Sequence, residues 1–285
     1  MKRAFSQVDV FTTTPYLGNP VAVVLDGTGL TTQEMQAFTD WTHLSEATFV
    51  LPSTQPGADY ALRIFCPGRE LPFAGHPTLG SCHAWLEAGG VPLGAEVVQE
   101  CGVGLVRIRR DGPRLAFAAP PLRRSGPLPE DEVLRIAHGL GLTRQDILHH
   151  AWCDNGPHWR GVMLASAQHM LGLNPNAQIL AGMEVGVVAP LEMQLQQDRH
   201  DPPEAFEVRA FFPGNAGLTE DPVTGSLNAA LGQWLIGAGL APDHYVARQG
   251  TAMGRAGRVH VQQDVHGQVW VGGESVVCIQ GHVTI

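Results

Sequence analysis

Two stretches of this chain are apolar on nearly every face a helix could present, and no other feature constrains the fold as strongly. One starts at Pro77 (PTLGSCHAWLEAGG) and the other at Pro222 (PVTGSLNAALGQWLIGAG); from Pro222 to Pro242 there is no charged residue. A helix without a polar face has nothing to offer water, so other elements must enclose it. The second stretch is a poor membrane span, because Gly225, Asn228, Gly232, Gln233, Gly237 and Gly239 interrupt the apolar run that spanning requires. Enclosure within protein is the expectation.

Both stretches share a lead-in. Phe65, Pro67 and Gly68 precede Pro77, Gly80 and Ser81, as Phe211, Pro213 and Gly214 precede Pro222, Gly225 and Ser226. The two sets lie about half the chain apart, which points to internal duplication. We expect an α+β fold of two pseudo-symmetric domains, each a curved β-sheet or barrel wrapped around a central α-helix. The first domain is expected over 1–118 plus 275–285 and the second over 119–274, with the boundary in AFAAPPLRRSGPLPE.

The rest of the pattern fits a strand-rich chain. SQVDVFT, NPVAVVL, ATFVLP, LVRIRR, RLAFAAP, VGVVAPL, FEVRAFF, RVHVQQ, QVWVGG and SVVCIQG mostly alternate with a period near two and end at Gly, Pro or Asp. Two further helices carry start signals: Thr31 with Glu34 forms a capping box, and Pro129 precedes three acids.

Charge narrows the partners. The net charge is −9 with no Lys/Arg-rich run, so nucleic acid is not an expected partner. Charged residues make up only 16%, below the roughly 25% usual for soluble domains, which hints at a homodimer that hides surface. Gln7 and Asp9 break what would be a signal's apolar core, and no membrane association is expected. The five cysteines form no CxxC, which suits reduced thiols in a cytoplasmic protein and gives no metal motif. P-loop, HExxH and GxSxG motifs are absent as well.

Candidate chemistry gathers at the two helix starts. Facing each other across an interdomain cleft, two helix N-termini would offer free N–H groups and partial positive charge to a carboxylate or phosphate. His76 and Asp221 both stand directly before the helix proline, so each half contributes one polar side chain. Asp221 reads either as a plain N-cap or as a cap that also faces substrate. His76 reads as a site residue or as a loop histidine bonded to backbone. Glu46, in HLSEATFVLP, stands where a helix gives way to an apolar strand. A carboxyl buried there would hold its proton more tightly, as a general acid or base near neutral pH needs, although a surface glutamate is the alternative. Asp221 at a helix N-terminus would stay ionised, and two carboxyls in divergent environments suit acid/base work.

VDVFT…GNPVAVV, SEATFVLP, ELPFAGHPTLGS, NGPHWRGVML, EDPVTGS and QGTAMGRAGRVHV together resemble the phenazine-biosynthesis isomerase (PhzF-like) family, itself similar in fold to diaminopimelate epimerase and proline racemase. The resemblance implies that Glu46 shuttles a proton between carbons of a small unsaturated or cyclic carboxylic acid. His76 and Asp221 would hold and polarise the substrate, and Ser45, Gly75, Gly225 and Ser226 would bind its carboxylate. Asn19 and Asn155 are possible lining residues. It also implies no cofactor, no metal and a homodimer. The epimerase-type relatives use a cysteine from each half, but here Asp221 stands at one such place and Ala74, Gly75 and His76 at the other, so a thiol pair is disfavoured. The chain departs from the family pattern at Ala74 and Pro77, which leaves the substrate open. Two rival readings are an epimerase or dehydratase acting on an amino-acid-like carboxylate, and a non-catalytic small-acid-binding protein.

Overall fold

The structure is a computed structural model and describes residues 1–192, 202, 204–214 and 217–285. In chain order the first elements are β1 (Lys2–Val10), β2 (Asn19–Val24), α1 (Thr32–Thr42), β3 (Ala47–Leu51), β4 (Tyr60–Cys66), β5 (Arg69–Leu71), α2 (Gly75–Glu87), β6 (Val97–Cys101), β7 (Gly104–Asp111) and β8 (Arg114–Ala118). There follow α3 (Glu130–Leu140), β9 (His149–Asp154), β10 (His158–Met163), α4 (Ala167–Leu171), β11 (Val185–Pro190), β12 (Glu204–Gly214), β13 (Gly217–Asp221) and α5 (Gly225–Gly237). The last are β14 (His244–Gln249), β15 (Gly257–Gln263), β16 (Val269–Gly273) and β17 (Ser275–Thr284). The chain divides into two compact units, Met1–Ala118 with Gly272–Ile285, and Ala119–Val271.

In the first unit β1 lies between β17 and β2, antiparallel to both. β2 then runs parallel to β3, and β3 antiparallel to β4. β4 pairs antiparallel with β5 and parallel with β6, and β7 joins β6 to β8 antiparallel. Helix α2 packs against β1, β2, β3, β4, β8 and β17. Its residues Gly75 to Cys82 are all buried, so enclosure is met where an apolar helix demands it. Gly80 allows the close approach: a Cβ there would come within 2.5 Å of Val21 Cγ1 and 2.9 Å of Val10 Cγ2. Gly80→Ala should therefore destabilise the protein by about 1–2 kcal/mol net in urea unfolding, because overpacking outweighs the gain of ~1 kcal/mol in helix propensity. A more stable variant would show that α2 has room to shift.

The second unit repeats this succession of pairings. β9 is antiparallel to β10, β10 parallel to β11 and β11 antiparallel to β12. β12 pairs antiparallel with β13 and parallel with β14, and β14 antiparallel with β15. Helix α5 packs on β9, β10 and β15. A separate cluster, including Val133, Ile136 and Leu140 of α3 with Val185, Val187 and Phe211, is fully or almost fully buried. Among the described residues no helix is long and apolar enough to cross a membrane.

The two helix starts are not placed alike relative to their prolines. Pro67 and Gly68 form the turn between the paired residues Cys66 and Arg69, whereas Pro213 and Gly214 lie inside β12, opposite Leu218 and Gly217. Pro77 is the third residue of α2, capped by Ala74, while Pro222 precedes α5, which is capped by Thr224. The first i→i−4 bonds run from Thr78 N to Ala74 O and from Asn228 N to Thr224 O. Pro77 therefore costs its helix no hydrogen bond, since the N–H it lacks would be an orphan there.

Two corrections follow for the site residues. Asp221 ends strand β13 and does not cap α5. His76 lies in the first turn of α2, not ahead of it. The capping box of Thr31 and Glu34 forms as the sequence predicts, and α3 opens after Pro129 and closes at Gly141 in the left-handed conformation, φ 73°.

Candidate active site

In the first unit the chain leaves α1 through His43, left-handed at φ 56°, and runs directly into β3. That reversal sets Ser45 and Glu46 at the head of β3, beside the first turn of α2. Gly18 brings β2 in from the other side. Its N–H donates to the buried Asp9 carboxylate at 2.9 Å, and a Cβ there would collide with Val10 O at 2.2 Å. The next residue, Asn19, is fully buried.

Asn19 links the group. Its Nδ2 lies 3.3 Å from His76 Nδ1, and Ser45 Oγ donates to its Oδ1 at 3.5 Å. An amide NH2 can only donate, so His76 Nδ1 accepts and the ring proton belongs on Nε2. Nε2 is 3.1 Å from Glu46 Oε2, with the two side chains 6% and 16% exposed. Oε2 is buried and makes no aligned hydrogen bond, so we read the close approach as electrostatic pairing rather than a directed bond. Ser45, Glu46, Gly75 and His76 are thus brought together, and Asn19 joins them.

In the second unit Asp221, Gly225 and Ser226 gather at the start of α5. Thr224 Oγ1 donates to Asp221 Oδ2 at 2.6 Å. Gln249, fully buried at the end of β14, fixes the same turn. Its Oε1 accepts from Thr224 N at 3.0 Å and Asn228 Nδ2 at 2.8 Å. Its Nε2 donates to Asp221 O at 3.1 Å and Thr224 Oγ1 at 2.8 Å. Asn155 Nδ2 donates to Ser226 O at 2.8 Å, and Trp159 Nε1 donates to Ser226 Oγ at 3.1 Å. Neither Ala74 nor Thr224 caps its helix with a side chain, so neither cap residue claims the first-turn N–H groups of α2 or α5. Such groups favour an anion.

Sequence reasoning missed Thr224, Trp159 and Gln249. Trp159 stands in NGPHWR and Gln249 in QGTAMGRAG, both visible as motifs, but nothing local tells that their side chains converge on Ser226 and Thr224. The acidic pair Glu220–Asp221 splits on strand β13: Asp221 turns to Thr224, while Glu220 pairs with Arg209.

The thiols sit elsewhere. Burial pushes both Cys82, inside α2, and Cys153, on β9, up to about 12, and it raises Cys66, Cys101 and Cys278 as well. Thiols so shifted are scarcely ionised at neutral pH and react slowly with alkylators. Iodoacetamide should therefore leave any turnover intact while the fold persists; loss of turnover without unfolding would reinstate thiol chemistry. Among the described residues no cluster of three or more His, Cys, Asp or Glu is gathered to hold a metal ion.

Comparison with known proteins makes this α+β chain an isomerase- or epimerase-like protein. The chain belongs to the PhzC/PhzF family, described as phenazine biosynthesis-like protein, which it matches over residues 8–281. It is 34% identical to antisense-enhancing sequence 1 of Schizosaccharomyces pombe, covering 98% of both chains. It is 31% identical to an uncharacterized isomerase of Pasteurella multocida, over 96% of this chain and 91% of the relative. A PhzF-family phenazine biosynthesis protein of Bacillus anthracis has the same fold, with TM-score 0.81, 24% identity and full coverage of both chains. More distantly, a hydroxyproline epimerase of Agrobacterium vitis with bound trans-4-hydroxy-L-proline aligns with TM-score 0.57 and 14% identity, over 99% of this chain and 92% of the other.

Proposed function

We propose that the protein is a cofactor-independent isomerase that moves a proton between carbons of a small unsaturated or cyclic carboxylic acid. The observation that carries this is the His76–Glu46 contact of 3.1 Å around a mostly buried carboxyl. Because Asn19 engages Nδ1, the histidine presents its Nε2 proton to Glu46. Glu46 can then take a proton from carbon and return it, while His76 stabilises the carboxylate in the deprotonated phase. A protein that merely bound an acid would gain nothing from a second carboxyl placed this way.

The remaining roles follow the same chemistry. Ser45 and the Gly75 amide in the first unit, and Gly225 and Ser226 in the second, offer donors to a carboxylate. Asp221, fixed by Thr224 and Gln249, would polarise a hydroxyl or amino group of the substrate. The two units would be pseudo-symmetric, each with its sheet curved around its apolar helix, and the working form a homodimer. Thiol epimerisation is the weaker reading, because Asp221 and the stretch Ala74, Gly75 and His76 stand where epimerase-type relatives carry their cysteines.

The experiment is a screen of cyclic, unsaturated and amino-acid-like carboxylates in heavy water, read by mass spectrometry and NMR for deuterium on carbon. Exchange at two different carbons of one acid is the expected result. Exchange at a single stereocentre with inversion would establish the epimerase instead, and binding without exchange would leave a binding protein.

A further inference from the structure

Helix α2 is enclosed by apolar contacts, and apolar attraction has no direction, so it does not by itself fix the height or rotation of a helix. Ala74, at the cap, adds no side-chain hydrogen bond. The contact between His76 and Glu46 nevertheless depends on both quantities. A short chain of hydroxyls supplies the missing direction. Ser81 Oγ donates to Thr48 Oγ1 at 2.8 Å, and Thr48 Oγ1 donates to Ala22 O at 3.2 Å. Both hydroxyl residues are fully buried. Thr48 directs its single proton to Ala22 O, so towards Ser81 it can only accept, and the order of the chain is fixed.

This chain joins the three segments that carry the site in the first unit. Ser81 shares α2 with His76, Thr48 lies on β3 beyond Glu46, and Ala22 shares β2 with Asn19. The spacings agree. Thr48 follows Glu46 by two residues, about 6.6 Å along an extended strand. Ser81 follows His76 by five, about 7.5 Å along a helix. Glu46–His76 and Thr48–Ser81 are therefore two rungs of one ladder between β3 and α2, spanning 3.1 and 2.8 Å.

We propose that Thr48 and Ser81 are positioning residues: their hydrogen bond sets the height and rotation of α2 against β3 and so holds His76 Nε2 against the Glu46 carboxyl. The inference rests on the proton-shuttle reading of Glu46. Both residues act through His76 and Glu46, not on the substrate. An apolar side chain of similar size would fill the same space without that direction.

The test follows the His76 Nε2 proton by proton–nitrogen NMR on the full chain, with no ligand added. Nε2 is buried, so its proton should exchange slowly with water. Ser81→Ala removes one hydroxyl and raises helix propensity, so this variant should fold. In it Nε2 exchange should quicken at least about 5-fold, the factor that one ordinary hydrogen bond is worth in a local opening. Thr48→Val, which cuts both links, should quicken it at least as much. Thr48→Ser keeps the hydroxyl and should stay within about 2-fold of the wild type. The amide of Leu231 on α5, in the second unit, is the reference, because a general loss of stability would quicken it equally. Unchanged Nε2 exchange in Ser81→Ala and Thr48→Val, equal acceleration at Leu231, or no rescue by Thr48→Ser would overturn the assignment and leave the shuttle reading standing. A wild type without a protected Nε2 proton would remove the His76–Glu46 contact itself, and the shuttle reading with it.

Discussion

Glu46→Gln should lower deuterium exchange into the substrate by roughly 10²–10⁴-fold, the usual worth of a positioned general base. Glutamine keeps the size of the side chain and can still lie against His76 Nε2, 3.1 Å from Oε2 in the native chain, but it cannot take up a proton from carbon. The rest of the group is untouched, because Asn19 is held to His76 and Ser45 through its own amide. Binding of the acid should accordingly change by less than about 3-fold, which separates lost chemistry from lost affinity. The thermal midpoint should stay close to the wild type's, since no buried charge loses a hydrogen-bonded partner. Full exchange in the variant would make Glu46 structural and move the search for the base to His76 or Asp221.

The fold was legible in the sequence to the extent that local pattern reports burial. An apolar helix with no polar face announces enclosure, and α2 is enclosed by six strands. The alternating segments from SQVDVFT to SVVCIQG fall on strands. Strands β9 and β10 were not legible, because HHAWCD and HWRGVM mix His, Asp, Arg and Gly into positions where a simple strand alternates. The prolines misplace the two helix starts for a definite reason. A proline tells that a helix start is near, not on which side of it the proline lies: Pro77 sits within its helix, and Pro222 ahead of its own.

The site shows the same division. Glu46 stands out because a carboxyl beside an apolar strand is out of place, and His76 because, like Asp221, it stands directly before a helix proline. Thr224, Trp159 and Gln249 were silent because their roles exist only through contacts distant in sequence, as between Gln249 and Asp221. Glu220 and Asp221 illustrate the limit best. Read as a helix mouth, the two acids suggest one joint role. Neighbours on a strand point to opposite faces, and this pair does two unrelated things.

Glu220 is one partner in a mostly buried ion pair, and from this arises the largest stability effect we expect. Arg209, on β12, makes a two-pronged contact with it, Nε to Oε1 at 2.9 Å and Nη2 to Oε2 at 2.8 Å, with side chains 6% and 17% exposed. The Arg209 Nη1 also donates to Met170 O and Leu173 O, both at 2.9 Å, which satisfies carbonyls at the end of α4, and the guanidinium lies 4.9 Å from the Phe211 ring centroid. Arg209→Met preserves much of the packing but strands the Glu220 carboxylate and unbinds two carbonyls. Breaking such a pair from one side typically costs about 3–5 kcal/mol, and urea unfolding of Arg209→Met should show a loss of that order. Removing both charges differs from removing one, because an apolar pair of similar volume leaves no uncompensated ion. Arg209→Met combined with Glu220→Leu should recover more than half of the loss, the remainder reflecting the α4 carbonyls. A single variant costing under about 1 kcal/mol would mean that water reaches Glu220 freely. A double variant no better than the single would locate the whole effect in the carbonyl bonds and leave the ion pair without energetic weight.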